Sequence, residues 1–175
     1  MKTTQQFFGK AALALALAAT CGAVHAQAQP KVKVGLMLPS TGTYAALGMA
    51  RAAYEMVIEA FTKADRETLK LLLSPEIYKS FDLSLTDARA AGRISATTLV
   101  AITKADMVQA KLKGTEATIA VDFISEQIQL IRDPEGKIID GDPSVQHRVE
   151  DSWVFARNLA SADPNWKLIE TDEAA

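Results

Sequence analysis

The chain has 175 residues, of which 49% are hydrophobic, enough for one self-sufficient core, and its formal net charge is −2. Mild acidity without a long basic run argues against nucleic-acid binding by phosphate neutralisation. Cys21 is the only cysteine, which excludes an intrachain disulfide and a multi-thiolate metal site.

Lys2 and a polar lead-in through Lys10 precede the apolar run AALALALAAT, Ala11 to Thr20. This run is shorter than the roughly 20 apolar residues that cross a bilayer. It reads instead as a signal peptide over residues 1–26, with cleavage after Val24-His25-Ala26, or alternatively after Ala26-Gln27-Ala28. The expected location is therefore exported: periplasmic or envelope-associated. A lipid anchor on Cys21 is disfavoured, because Thr20 precedes it and Ala18 stands where Leu is usual. Cleavage after Ala26 removes Cys21, Lys2 and Lys10, so the mature chain carries a net charge of −4 and no cysteine nucleophile.

Residues 31–39, KVKVGLMLP, have the β-branched and apolar content of a strand, and Ser40-Thr41-Gly42-Thr43 can turn the chain. Gln29 to about Gly48 closely resembles the mature amino terminus of periplasmic substrate-binding proteins of branched-chain amino-acid importers, in KVGLMLPSTGTYAALG. That resemblance implies ligand contact by Ser40, Thr41 and Thr43. A two-lobed binding protein, however, needs two domains of the order of 100 residues each. Residues 27–48 are therefore read as a fragment whose lone strand lacks a parent sheet. No Gly-x-x-x-x-Gly-Lys-Ser/Thr pattern makes the turn a phosphate loop.

From Met49 to Ala64 the apolar residues Met49, Ala53, Met56, Val57, Ala60, Phe61 and Ala64 recur at three- and four-residue steps, which predicts an amphipathic helix. Asp65 is the cap of a short second helix carrying Leu69, Leu72 and Leu73. Ser74-Pro75 starts a third, running to about Ala91, that buries Ile77, Tyr78, Phe81 and Leu85 and stops at Gly92.

Beyond Gly92 the pattern turns to strands at 97–102, 107–112, 117–124 and 127–131, with turn chemistry at Lys113-Gly114 and Asp133-Pro134-Glu135-Gly136. Hairpin pairing makes the sheet antiparallel. Apolar residues sit at odd numbers through Ile119, Val121 and Phe123, then at even numbers through Ile128 and Leu130, which predicts a bulge or bend near Ser125 to Gln127. A strand from Val145 to Arg157 places Val145, Val149, Trp153 and Phe155 on one face, and Trp166 to Ile169 closes the series. The expected fold is α+β, with N-side helices packed in the concave face of a bent antiparallel sheet.

Ala50 to Asp172 resembles the Tim-forty-four-like domain family, which comprises the carboxy-terminal domain of a mitochondrial import motor tether and alphaproteobacterial adaptor relatives. The matching stretches are AYEMVIEAFTKADRETLKLLLSPEIY, ITKADMVQAKLKG, IRDPEGKIIDGDP, VEDSWVFAR and DPNWKLIE, in family order. The domain reading is thus 49–172, with a tail at 173–175. The resemblance implies a nuclear-transport-factor-like cone and a non-enzymatic adaptor related to protein-translocation tethers. Its apolar pocket would take a hydrophobic ligand, a lipid or a protein segment, beside an inner-membrane surface. Because the leader replaces the family's usual amino-terminal region, chaperone recruitment is not carried over.

Tyr54, Phe61, Phe81, Phe123, His147, Asp151 and Trp153 are the candidate pocket residues. Acid/base chemistry of the isomerase or dehydratase kind, which this class of cone can house, would fall to Asp122, His147 or Asp151. His147 and Asp151 share a strand face but lie about 13 Å apart along a straight strand, too far for a dyad. Solvated or hydrogen-bonded structural roles fit these groups better, and no catalytic residue is assigned. One mature histidine and scattered carboxylates give no tetrahedral zinc set, and no cofactor is expected. Lys104, Lys111 and Lys113 line one hairpin, where they suit a solvated edge better than an anionic partner.

Overall fold

The structure, a computed structural model, describes residues 40–163 and 165–173. The leader and the strand expected at 31–39 lie outside the described residues. Three helices, α1 (Ser40–Thr62), α2 (Arg66–Leu72) and α3 (Pro75–Ala90), precede five strands: β1 (Ile94–Lys113), β2 (Glu116–Arg132), β3 (Ile138–Asp140), β4 (His147–Asn158) and β5 (Lys167–Glu173).

Helix α1 begins well before Met49, so Ser40 to Thr43 form its first turn and not the loop expected there. The run AALGMARAAYEM is dense in strong helix formers, and Gly48 alone opposes it, by about 1 kcal/mol. The buried stripe is Ala46, Ala50, Ala53, Tyr54, Val57, Ile58, Ala60 and Phe61. It keeps Ala53, Val57, Ala60 and Phe61 of the expected stripe, but Met49 and Met56 are 42% and 44% exposed, and Ile58 is buried along with Tyr54, the pocket residue expected on this helix. The aromatic ring fills the hollow and two flexible thioethers are left outside. The chain leaves α1 through Ala64, left-handed at φ +52, outside the helix and exposed where it was expected on the apolar face. The Asp65 N–H donates to the Ala60 carbonyl there, closing the helix end.

Asp65 and Ser74 cap α2 and α3 by accepting from the Thr68 and Ile77 backbone N–H groups, as their residue types predict. Leu69 and Leu73 are fully buried, and the Ser74 N–H donates to the Leu168 carbonyl of β5 at 2.8 Å. That bond ties the helical layer to the sheet.

The sheet is antiparallel with order β1-β2-β4-β5, and β3 pairs with the far end of β2. β1 is one strand of 20 residues, not the two separate strands expected at 97–102 and 107–112. Residues 103–106 hold no Gly or Pro to break it. β2 likewise runs unbroken through the bend expected near Ser125 to Gln127, and its register with β4 is continuous from Glu116↔Asn158 to Gln127↔His147. The irregularity sits on the partner strand. β1 shifts register between Leu99 and Ala101, Ile102 and Lys104, and Met107 and Gln109, leaving Val100, Thr103 and Val108 as extra residues. β4 starts at His147, so Val145 falls outside the strand and is exposed.

The fold is thus α+β, with the three helices laid on a bent antiparallel sheet. Val57, Leu69, Leu73, Val121, Phe123, Trp153, Phe155 and Leu168 form the centre of the core. Each fully buried apolar side chain contributes about 1.5–3 kcal/mol. Gly141, at φ +87, lies directly on β2: a Cβ there would meet the Gln129 carbonyl oxygen at 2.3 Å. The glycine of the Asp-Gly-Asp-Pro turn is what lets the loop after β3 settle on the sheet.

Candidate functional site

Two features on α1 and the sheet are built from more than packing. The first is a buried polar cluster inside the hollow. Tyr54 projects from α1 onto β2 and β4, where its hydroxyl donates to Asp151 Oδ2 at 2.6 Å. Gln127 Nε2 reaches both Tyr54 Oη, at 3.1 Å, and Ser125 Oγ, at 2.9 Å, and Gln129 Nε2 donates to Gln127 Oε1 at 3.2 Å.

Each hydroxyl has one proton, and this fixes the direction of the chain. With the phenol proton on Asp151, the 2.9 Å contact between Ser125 and Tyr54 is a donation from Ser125. The tyrosine oxygen then accepts twice and donates once, and both amide protons of Gln127 are used. Burial pushes the Tyr54 phenol well above its ordinary range, and the charge and hydrogen bond of Asp151 push it further. The cluster therefore holds a neutral phenol against the Asp151 carboxyl group.

Aromatic rings close over the cluster. Tyr54 stacks on Phe123 at 4.4 Å between centroids and lies 4.5 Å from Trp153. Tyr54, Phe123 and Trp153 are all essentially inaccessible, and Asp151 is 7% exposed. The expected pocket set therefore divides. Tyr54, Phe123, Asp151 and Trp153 come together; Phe61 and Phe81 meet edge to face at 5.2 Å against α3; His147 lies opposite Gln127 in the strand ladder, half-buried.

The three acid/base candidates do not converge. Asp122 alternates with Val121 and Phe123, so it occupies the other face of β2 from Asp151's partners, and His147 is four residues along β4 from Asp151. Ser125 and Gln127 were not among the expected site residues. Their signal is the odd-number alternation continuing past Phe123, carried by polar side chains where apolar ones were sought. Among the described residues no cluster of His, Cys, Asp and Glu could hold a metal ion. No described helix is long and apolar enough to cross a membrane.

The second feature is an open groove of about 420 Å³ between α1 and β1, walled by Glu55, Ile58, Glu59 and Lys63 and floored by residues 97–102. Thr62 Oγ1 donates to the Thr97 carbonyl at 3.2 Å at one end, and Arg51 Nη2 donates to the Ile102 carbonyl at 3.0 Å at the other.

Residues 43–173 match the model of the Tim44-like domain. Among curated proteins, the chain is 25% identical over 126 residues to the probable mitochondrial import inner membrane translocase subunit tin-44 of Caenorhabditis elegans, covering 65% of this chain and 28% of that protein. It is 23% identical over 116 residues to the translocase subunit TIM44 of Rattus norvegicus, covering 65% and 26%. The chain thus spans little more than a quarter of the length of these relatives. In fold it is similar to the intermembrane space region of the chloroplast protein ARC6, with a TM-score of 0.52 at 14% identity, covering 74% of this chain and 96% of that one. The matched range holds most of α1, all of α2 and α3 and the five strands, and the chain belongs to the Tim44-like domain family.

Proposed function

We propose that this domain is a non-enzymatic docking module of a protein-translocation system, holding a protein segment on its outer surface. The observation that carries this reading is the state of the hollow. Its polar groups are consumed by one another through Tyr54, Ser125, Gln127 and Asp151, and its aromatic rings are stacked on each other. Acid/base catalysis needs a polar group that can reach a substrate, and a hydrophobic ligand or lipid inside would first have to part the Tyr54–Phe123–Trp153 stack. The relatives' description as translocase subunits supports the same choice. Contact with an inner-membrane surface belongs to the proposal, because those subunits serve an inner-membrane translocase. So does an envelope location, on the leader read in residues 1–26; a mature mass beginning at Gln27 or Gln29 is the expected result.

The test is photo-cross-linking in living cells. A photo-reactive residue is placed in turn at the exposed positions Met56, Leu112, Ile139 and Leu159. Pulse-labelled polypeptides in transit, or a membrane translocase subunit, are expected as adducts from at least one face, disappearing during the chase. Cells that export normally but give no such adduct at any of the four positions would overturn the reading.

A further inference from the structure

We infer that the end of the hollow at the β1–β2 hairpin is a carboxylate-binding site, in which Arg157 and Trp166 seat an acidic side chain of a docked protein segment. The inference rests on the docking function proposed above and names the chemistry of what is held.

The strand ladder brings the two residues together. Trp153, Phe155 and Arg157 alternate along β4 onto the concave face. One step beyond the last pair of β4 with β5, Ala156↔Lys167, sets Arg157 across from Trp166. Facing residues of antiparallel strands carry their Cβ atoms about 5 Å apart. The same row continues through Ala117 to Leu112, since Ala117 pairs with both Arg157 and Leu112. In the next row inward Ile119, Phe155 and Leu168 are buried. Arg157 therefore stands where the apolar hollow ends.

The polar atoms here have no partners within the chain. Arg157 Nε and Trp166 Nε1 are both buried, and neither has an acceptor. Buried donors almost always have one, so two orphans in facing positions point to an acceptor from outside the chain. Arg157 also makes no ion pair among the described residues. Glu116 alternates with Ala117, so it lies on the other face of β2, where it is opposite Lys113. Asp163, in the loop before β5, accepts from the Asn165 N–H at 3.0 Å. At the other end of the hollow the Tyr54 cluster uses its protons internally.

Charge and shape select the occupant. Lys111, Lys113 and Lys167 stand around Arg157 against Glu116 and Asp163, so this end is positive on a chain of net charge −2. A planar guanidinium fork matches the two oxygens of a carboxylate, and the indole N–H adds a donor beside it. Leu112 and Leu159 are 49% and 51% exposed, and the Leu159 N–H donates to the Thr115 carbonyl at the same hairpin. They give the apolar neighbours of the acidic residue a surface to cover, which a free acid would leave bare.

The test is NMR titration of the full chain with a blocked pentapeptide that carries glutamate between two leucines. The two tryptophans give two indole N–H resonances, and Trp166→Phe identifies the one concerned. That resonance should shift and saturate while the Trp153 indole stays in place. Glutamine in place of the glutamate should weaken binding about tenfold, and so should Arg157→Lys, which keeps the charge and loses the fork. An unchanged Trp153 resonance and melting temperature show that the variant is folded. No shift at Trp166, or equal binding of the glutamine peptide, would overturn the site. So would acetate or a soluble short-chain phosphatidylglycerol that binds as tightly as the peptide, by showing a free acid or a lipid phosphate in its place. Cross-links from the four surface positions with no Trp166 shift would leave the docking function standing and remove this site alone; glutamate-dependent binding without cross-links would do the reverse.

Discussion

The inner face of β2 has two ends built by one alternation and opposite chemistry. Ile119, Val121 and Phe123 face the hollow at one end, Ser125 and Gln127 at the other, all buried. At the apolar end, contact is non-directional, and many arrangements of α1 would bury similar area. At the polar end, every proton has an assigned acceptor, and only the observed seating of Tyr54 satisfies them together. The first end supplies most of the stability; the second selects one arrangement among those the first would tolerate. Substitutions at the two ends should therefore differ in kind as well as in size.

The largest effect is expected from Trp153→Ala, which empties the centre of the apolar end. Trp153 is 1% exposed and lies against Tyr54, Phe123 and Phe155. A loss of about 3–5 kcal/mol is expected by urea titration. A loss under 1 kcal/mol would show that the two ends do not divide the work in this way.

Gly141→Ala tests the polar end at the level of the backbone. Its Cβ would press on the Gln129 carbonyl and Leu130 Cα from the loop side while the backbone stays left-handed. Overpacking of about 1–3 kcal/mol adds to a left-handed cost of about 1–2 kcal/mol. A total near 3 kcal/mol should appear as a lowered urea midpoint, accompanied by shifted Gln127 and Gln129 side-chain amide resonances.

Tyr54→Phe separates the two ends most cleanly, since it keeps the ring stacking and removes only the hydroxyl. Asp151 loses its 2.6 Å donor and Gln127 loses an acceptor, at an expected cost of about 1–3 kcal/mol. The pH dependence has a definite sign. The folded phenol titrates above its unfolded value near 10, so its contribution is complete below pH 10 and is lost as pH rises beyond it. The wild type should lose stability on the alkaline side more steeply than Tyr54→Phe. Parallel curves above pH 10 would place the phenol in water.

Much of this contrast is readable in the residues themselves, and the failures have causes. Asp65 and Ser74-Pro75 announced their helices because a cap is a local bond, made within three residues of its donor. Hairpin turns at Gly114 and Gly136 were legible because both need positive φ, which glycine supplies. Apolarity alone does not mark the inward face of β2 beyond Phe123, because Ser125 and Gln127 are buried polar groups. What pays for that burial is a phenol on α1 more than 70 residues away, a partner no local window contains. Helix α1 departs from its apolar pattern at Met49 and Met56 for the same reason. Met49 and Met56 are the more apolar choice, but Tyr54 has the hydroxyl that the sheet requires. The groove was illegible because it depends on which strand ends at an edge, a property of topology and not of any segment.

The smallest expected effect comes from polar groups outside the hollow, and it sharpens the contrast by acting at the opposite end of the pH scale. Asp65 is exposed at the start of α2. The Thr68 hydroxyl and N–H donate to its carboxylate and hold its pKa below the ordinary carboxylate value. A depressed folded pKa stabilises the fold above the unfolded value near 4 and ceases to do so as pH falls through the folded one. Asp65→Asn can still accept from the Thr68 N–H, but it has no charge to lose. The melting temperatures of wild type and variant should therefore differ by a small constant above pH 5 and converge below pH 4. Introduced into Tyr54→Phe, Asp65→Asn should converge in the same way, because the cap is made with Thr68 alone and shares no residue with the buried cluster. If the tyrosine change altered the difference that Asp65→Asn makes, the buried cluster and the surface cap would be coupled, and the separation of the hollow from the exposed polar shell would not hold.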